Sequence, residues 1–276
     1  MDESTLTART LLSDAENVII LAGAGMSAEI GTGTYWSGPE RQYAGNLSIH
    51  GFTDLEHAHG AMWDTHRAMQ IDFYHGILDG LINTDVNNST SPYRILHDYL
   101  EETGKNYFIM TSNVDGAFVR SGFSAEKIYE IHGTRLRSQC LDFPVEHGIF
   151  PTNTTSGIPT QCPECKGDTR PNCLFFVDFA FNPAIARKQQ DQFTAFRESL
   201  SGTPSTVLEI GAGTTIATIR NQSLRINSKQ HIPVIRINPH DLFNDGGLKN
   251  ILPKSKIAPF VRIQADATPG LLSILR

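Results

Sequence analysis

Four groups of residues in this 276-residue chain combine types and spacings that can do chemistry. Gly23-Ala24-Gly25 follows directly on the apolar run 18–22 and precedes a helix-compatible segment opening at Met26. A strand that turns through glycines into a helix N-terminus brings backbone close to a ligand, and the free N–H groups and helix dipole there favour a phosphate. A dinucleotide is the natural guest. An ordinary glycine turn is the alternative, because the third glycine of the dehydrogenase fingerprint is not at its usual spacing. Ser112-Asn113-Val114-Asp115-Gly116 ends a second apolar run, 106–111. Such polar residues either meet the same ligand beyond the strand or cap the next helix. His132 closes a third short run, 127–133. A neutral imidazole can accept a proton from a hydroxyl near neutral pH, although a lone histidine at a strand end is more often a hydrogen-bonded structural residue. Last, Cys162-Pro163-Glu164-Cys165 forms a knuckle that aims two thiolates at one tetrahedral ion, with Cys140 upstream as a third ligand. Asp142 or His147 could complete the tetrahedron, or the lobe could fold without zinc. Any ion there is structural, since His132 lies in another segment.

The elements that must position these residues follow from hydrophobic period and breakers. Residues 4–16 read as a short amphipathic helix ahead of the first strand. Residues 46–83 interrupt the alternation as a small helical insert, with Phe52, Leu55, Met62, Trp63, Phe73, Ile77, Leu78 and Leu81 as its apolar positions. This insert also carries His50, His57, His59, His66 and His75. His57 and His59 cannot share a helix face, and no cysteine completes a site, so solvent-facing or capping histidines are the favoured reading over a metal centre. A helix over 91–103 stops at Gly104. Downstream, a strand and turn are expected over 173–181 and a helix over 190–200. The strand 205–210 ends in a second glycine turn, Gly211-Ala212-Gly213, and the strand 233–237 ends at Asn238. A last strand, 261–264, leads through Asp266 into a helix over 269–275. Three strand-to-turn transitions before residue 140 and three after residue 170 are the layout of an α/β fold, a doubly wound parallel sheet that binds a dinucleotide where its strand order reverses.

Composition narrows the class. A formal net charge of −6 argues against a general nucleic-acid or anionic-membrane binder. No stretch approaches ~20 consecutive apolar residues, and the polar, acidic start does not resemble a signal peptide. The four cysteines, Cys140, Cys162, Cys165 and Cys173, fall in one short region, which suggests metal before disulfide and a cytoplasmic setting.

Taken together, these motifs resemble the sirtuin family of NAD-dependent protein deacylases. GAGMSAE, Gly23 to Glu29, and Gly31 match the family's nucleotide-binding signature position by position. Tyr35 stands for its phenylalanine and Trp36 for its arginine, with Arg41 five residues on as the substitute. TSNVDG matches the family's Thr-Gln-Asn-Ile/Val-Asp with Ser112 in place of glutamine, and His132-Gly133 matches its catalytic His-Gly. The resemblance implies an α/β fold with a Rossmann-like sheet and a small lobe made of a helical insert and a zinc-ribbon-like insert. The corresponding segments are 1–45, 84–137 and 172–276 for NAD binding, 46–83 for the helical insert and 138–171 for the zinc-binding-like insert.

The resemblance also implies roles. Gly23, Ala24, Gly25, Met26, Glu29, Tyr35, Trp36, Arg41, Ser112, Gly211, Ala212, Gly213, Asn238 and Asp266 would bind NAD. Asn113 would position the nicotinamide ribose, Asp115 would bind the nicotinamide amide, and His132 would act as the base. Cys140, Cys162 and Cys165 would hold zinc, and Cys173, where the family has an apolar residue, would be a core cysteine. Phe176 matches the family's substrate-loop phenylalanine, Val177 replaces its glycine and Asp178 its glutamate, so that Phe176, Val177, Asp178 and Phe179 would meet an acyl-lysine peptide added as a strand. Val177, being β-branched, disfavours a glycine conformation. The implied reaction releases nicotinamide from NAD, captures C1′ with an acyl-amide oxygen and yields deacylated lysine and O-acyl-ADP-ribose. A protein ADP-ribosyltransferase and an NAD glycohydrolase share the first step and are the rivals. A catalytically silent NAD or ADP-ribose binding module would be expected to lose His132 or Asn113, and both are present.

Overall fold

A computed structural model describes residues 2–31, 57–152, 161–214, 216–240, 242 and 258–276. Tyr35, Trp36, Arg41, His50 and the first part of the helical insert lie outside the described residues.

Six parallel strands form the main sheet. They are β1 (Asn17–Ala22), β2 (Asn106–Thr111), β3 (Ile128–Glu130), β7 (Ser205–Ile210), β8 (Val234–Ile237) and β9 (Phe260–Ile263), in the order β3-β2-β1-β7-β8-β9. The chain works outward from β1 to β3 on one side, then returns to the other flank of β1 and works outward from β7 to β9. The order therefore reverses between β1 and β7, the switch point at which such sheets bind ligands.

The run NVIILA is buried along its whole length because β1 is central and covered on both faces. Its period of two divides the core. Val18, Ile20 and Ala22 join Ala8 and Leu12 of α1 (Glu3–Asp14), Tyr93, Leu96 and Leu100 of α5 (Pro92–Thr103), and Leu271 and Ile274 of α9 (Ala267–Leu275). Ile19 and Leu21 face the other way, toward Phe193 of α7 (Ala184–Ser199) and Ile219 and Ile226 of α8 (Thr218–Gln230). α7 opens six residues before the expected start at 190, and α9 two residues before 269.

A second, antiparallel sheet, β5-β4-β6, is built from β4 (Gly133–Cys140), β5 (Ile149–Pro151) and β6 (Thr169–Cys173). The expected strand at 173–181 is corrected here: the strand is the polar TRPNC, which ends at Cys173. Pro171 is tolerated because β6 is an edge strand. The apolar segment that follows bends instead, making only an isolated bridge between Phe176 and His59. The described part of the helical insert holds α3 (Met62–Thr65) and α4 (Arg67–Asn83). Trp63, Phe73, Tyr74 and Ile77 dock on Leu141, Cys173 and Phe175 of the lobe. Cys173 is thus a core residue, and burial pushes its thiol up to about 12. His57 departs from the expected exposed histidines: it is fully buried, stacked on Phe73 at 3.8 Å and bonded to Gln70 at 2.7 Å.

Candidate active site

At the carboxyl ends of β1 and β7 the two glycine turns lie back to back. Gly23 N–H donates to the Ile210 carbonyl and Gly25 N–H to the Gly211 carbonyl, both at 2.9 Å. Gly211 has φ +62°, and a Cβ there would sit 2.3 Å from the backbone nitrogen of Met26. These glycines are therefore required by the close approach of two backbones. The Ala212 carbonyl accepts from Arg220 Nε at 2.8 Å and Asn238 Nδ2 at 2.9 Å, while Asn238 Oδ1 accepts from His240 N–H. Asn238 thus shapes the second turn. What the turns leave outward are the exposed Ala24 and Gly213, whose N–H groups donate to no acceptor among the described residues. The short helix α2 (Gly25–Ala28) follows the first turn. The Met26 side chain is buried in the core, so only its backbone faces this edge. Glu29 accepts from Thr268 N–H at 2.6 Å, anchoring the start of α9 beside the exposed Asp266.

Beyond β2 a buried polar cluster forms. Asn113 Nδ2 donates to the Gly23 carbonyl (3.0 Å), to Ser27 Oγ (2.9 Å) and toward Tyr93 OH (3.3 Å). Ser27 donates to Asp115 Oδ2 at 2.6 Å, and Asp115 Oδ1 accepts from Ala117 N–H at 2.9 Å. Asp115 thus belongs to the cluster below the glycine turn and also accepts from the first N–H of the short helix α6 (Ala117–Arg120). Ser112 is half-buried, its N–H bonded to the Ala22 carbonyl at 3.1 Å. Tyr93 and the role of Ser27 were not singled out by sequence. Ser27 lay inside the recognised glycine motif, and Tyr93 read as one residue of a helix face.

His132 leaves the end of β3, the strand next to β2, and Ile131 N–H bonds to the Thr111 carbonyl at 3.0 Å. The His132 backbone carbonyl accepts from Leu174 N–H, its Nδ1 is buried with no hydrogen-bond partner among the described residues, and its Nε2 keeps access to solvent. Burial lowers its pKa, so the imidazole is neutral near pH 7. With Nδ1 closed off, Nε2 is the ring nitrogen that could meet a ligand at this edge of the sheet and act as a base.

The candidate acceptor loop follows β6. Val177 adopts φ +51°, so the left-handed conformation expected of the family's glycine is kept by a β-branched residue, at about 1–2 kcal/mol of strain. Val177 and Phe179 are 61% and 96% exposed, and Phe176 is partly exposed. Asp178 differs, being buried in a bidentate pair with Arg170 and accepting from Phe175 and Ala180 N–H groups. It folds the loop from within.

In the lobe, the donor atoms of Cys140, His147, Cys162 and Cys165 lie within 4.8 Å of one another. Cys140 Sγ is 3.7 Å from Cys165 Sγ, and Cys162 Sγ is 3.3 Å from His147 Nδ1. A zinc tetrahedron with bonds of about 2.3 Å to sulfur has sulfur–sulfur edges of about 3.8 Å, so the set fits a zinc ion. Of the two candidate fourth ligands, His147 lies within this cluster, whereas Asp142 pairs with Arg67 at 2.7 Å. Phe143, at the vacant knuckle position, gives its N–H to Cys140 Sγ instead.

Residues 23–194 match the model of the Sir2 family. The chain belongs to the Sir2 family. Among sirtuins, it is 29% identical over 197 residues to an NAD-dependent protein deacylase of Campylobacter jejuni (strain RM1221), covering 71% of this chain and 77% of the relative. It is 27% identical over 265 residues to a probable bifunctional ADP-ribose hydrolase/ADP-ribosyltransferase of Fusarium oxysporum f. sp. cubense, covering 83% of this chain and 41% of that protein. A crystal structure of a Sir2 homolog–NAD complex superposes with TM-score 0.70 at 18% identity, covering the whole of this chain and 93% of the other. The sirtuin fold expected from the sequence is therefore the fold of this protein, and it is an NAD-dependent enzyme of that family.

Proposed function

We propose that this sirtuin is a protein-lysine deacylase that uses NAD as co-substrate, with His132 as its base. The observation that carries the reading is the placement of His132 just past the end of β3, beside the Asn113–Asp115 cluster, with Nδ1 closed off and Nε2 left as the accessible ring nitrogen. Ala24 and Gly213 N–H groups are suited to the pyrophosphate, and Asn113 to the nicotinamide ribose. Asp115 fixes the floor under the nicotinamide side and has lone pairs left for its amide. Bound NAD supplies a glycosidic bond whose cleavage frees nicotinamide and makes ribose C1′ electrophilic. His132, neutral because it is buried, accepts the proton of a ribose hydroxyl. Its partly closed surroundings limit access of water to the reacting ribose.

The exposed edge at Phe176, Val177 and Phe179 is the part of this chain that would hold an acyl-lysine peptide. Cys140, His147, Cys162 and Cys165 would hold a structural zinc ion that fixes the lobe carrying β4 and β6. A cytoplasmic location is part of this proposal, supported by cysteines that cluster as metal ligands rather than pair in disulfides.

A second reading, protein ADP-ribosyl transfer, is favoured by one observation, the Fusarium relative that aligns with 83% of this chain. Mass spectrometry of the products formed from NAD, with and without acetyl-lysine peptides, separates the two. Peptide-dependent nicotinamide release with O-acetyl-ADP-ribose supports the deacylase. Peptide-independent release with a mass-shifted protein selects the transferase.

A further inference from the structure

We propose that Tyr93 is a positioning residue for the NAD-cleaving reaction, its hydroxyl clamping the amide nitrogen of Asn113 against the buried floor so that the amide oxygen faces the ligand crevice. The kinetic part of this inference rests on the proposed function. Tyr93 belongs to α5, is fully buried, and packs edge-on against Phe118 at 4.8 Å. An apolar phenylalanine would serve that packing alone, so the hydroxyl needs another explanation.

The protons in the cluster can be assigned by elimination. Gly23 offers a carbonyl, which only accepts, so the Asn113 atom 3.0 Å away must be the nitrogen. Ser27 gives its single proton to the Asp115 carboxylate at 2.6 Å. The 2.6 Å contact between Ser27 Oγ and Tyr93 OH must then run from the phenol to the serine. Burial, reinforced by the nearby Asp115 charge, holds the phenol well above its ordinary pKa, so it stays a donor across the physiological range. The direction Tyr93 to Ser27 to Asp115 is therefore fixed. One Asn113 hydrogen goes to Gly23, and the other is shared between Ser27 Oγ and Tyr93 OH. Asn113 Oδ1 receives no bond from the described residues and, unlike His132 Nδ1, keeps access to solvent. It is left as an acceptor for a ligand hydroxyl.

The test is Tyr93→Phe, which keeps the ring and removes one oxygen. Two readouts are taken, each independent of the other. In the first, kcat for nicotinamide release falls roughly tenfold while KM for NAD stays within about twofold, the signature of an interaction that matters for the reacting geometry more than for binding. In a Ser27→Ala background the same substitution costs less than about twofold, since the clamp needs both oxygens that share the Asn113 hydrogen. In the second, which needs no turnover, NMR hydrogen exchange of the Asn113 side-chain amide is roughly tenfold faster in Tyr93→Phe than in the parent protein. Unchanged amide exchange in a folded Tyr93→Phe protein would overturn the proposal. So would an equal kcat loss with and without Ser27. A parent protein that releases no nicotinamide overturns the functional reading, and the exchange measurement then decides the clamp by itself.

Discussion

Substituting Asp178 by alanine tests how the acceptor loop is held. Arg170 and Asp178 are each 1% exposed at the side chain and pair through both guanidinium ends. Arg170 also donates to the Cys173 carbonyl at 3.0 Å and lies over the Phe175 ring at 4.7 Å. Removing the carboxylate leaves a guanidinium buried without its counter-charge, a loss of about 3–5 kcal/mol. The Phe175 and Ala180 N–H groups, each 3.1 Å from Asp178, also lose their acceptor, although the open side of the loop lets water replace part of it. A total near 4 kcal/mol is expected, a large share of the ~5–15 kcal/mol that holds a typical protein folded. Urea unfolding followed by circular dichroism measures it. The double variant Arg170→Met with Asp178→Ala removes both charges and should recover to within about 2 kcal/mol of the parent. A single-variant loss below about 1 kcal/mol, or a double variant no more stable than Asp178→Ala, would refute the assignment of Asp178 as the inner anchor of this loop.

Three further outcomes follow from the site. Gly211→Ala should lose at least about 3 kcal/mol in thermal unfolding, because its Cβ would strike the backbone at Met26 and its φ is left-handed; an unchanged midpoint contradicts the back-to-back turns. His147→Ala should lower zinc content well below one ion per chain in protein purified without chelator, and His147→Cys should keep it near one; equal zinc in His147→Ala removes His147 from the ligand set. The pH profile of kcat/KM for NAD should show an acid limb set by His132. Because burial lowers its pKa, the neutral base persists below pH 6.5 and activity is lost only as pH falls through that lowered value. The same sign makes its neutral burial favour the fold at higher pH, with that contribution lost as pH falls through the lowered value. A limb centred above 6.5 contradicts the burial argument.

The central strands were legible because β1, β2, β7 and β8 are buried on both faces and so read as short apolar runs bounded by glycine or polar residues. β6 was misplaced for the opposite reason. Its residues are polar, and Arg170 and Asn172 are buried through hydrogen bonds, whereas the apolar segment after it bends around Asp178. The clustering of Cys140, Cys162 and Cys165 was legible from the Cys-x-x-Cys spacing and its upstream partner. That His147 joins this cluster while Asp142 turns to Arg67 was not legible, because Arg67 is 75 residues from Asp142 in sequence. Tyr93 shows the same limit, since its contact with Ser27 spans 66 residues and leaves no local pattern. Val177 was expected to resist a glycine conformation and instead adopts one, because the turn around Asp178 and the buried pair with Arg170 outweigh its strain.

The central claim is that His132 is the base of an NAD-dependent deacylation. It is tested most directly by comparing the parent protein with His132→Ala for O-acetyl-ADP-ribose formation from NAD and an acetyl-lysine peptide, with NAD affinity measured by calorimetry on the same samples. The account predicts that product formation drops at least about 100-fold while the Kd for NAD stays within about threefold. Parent-level product formation by His132→Ala would contradict it.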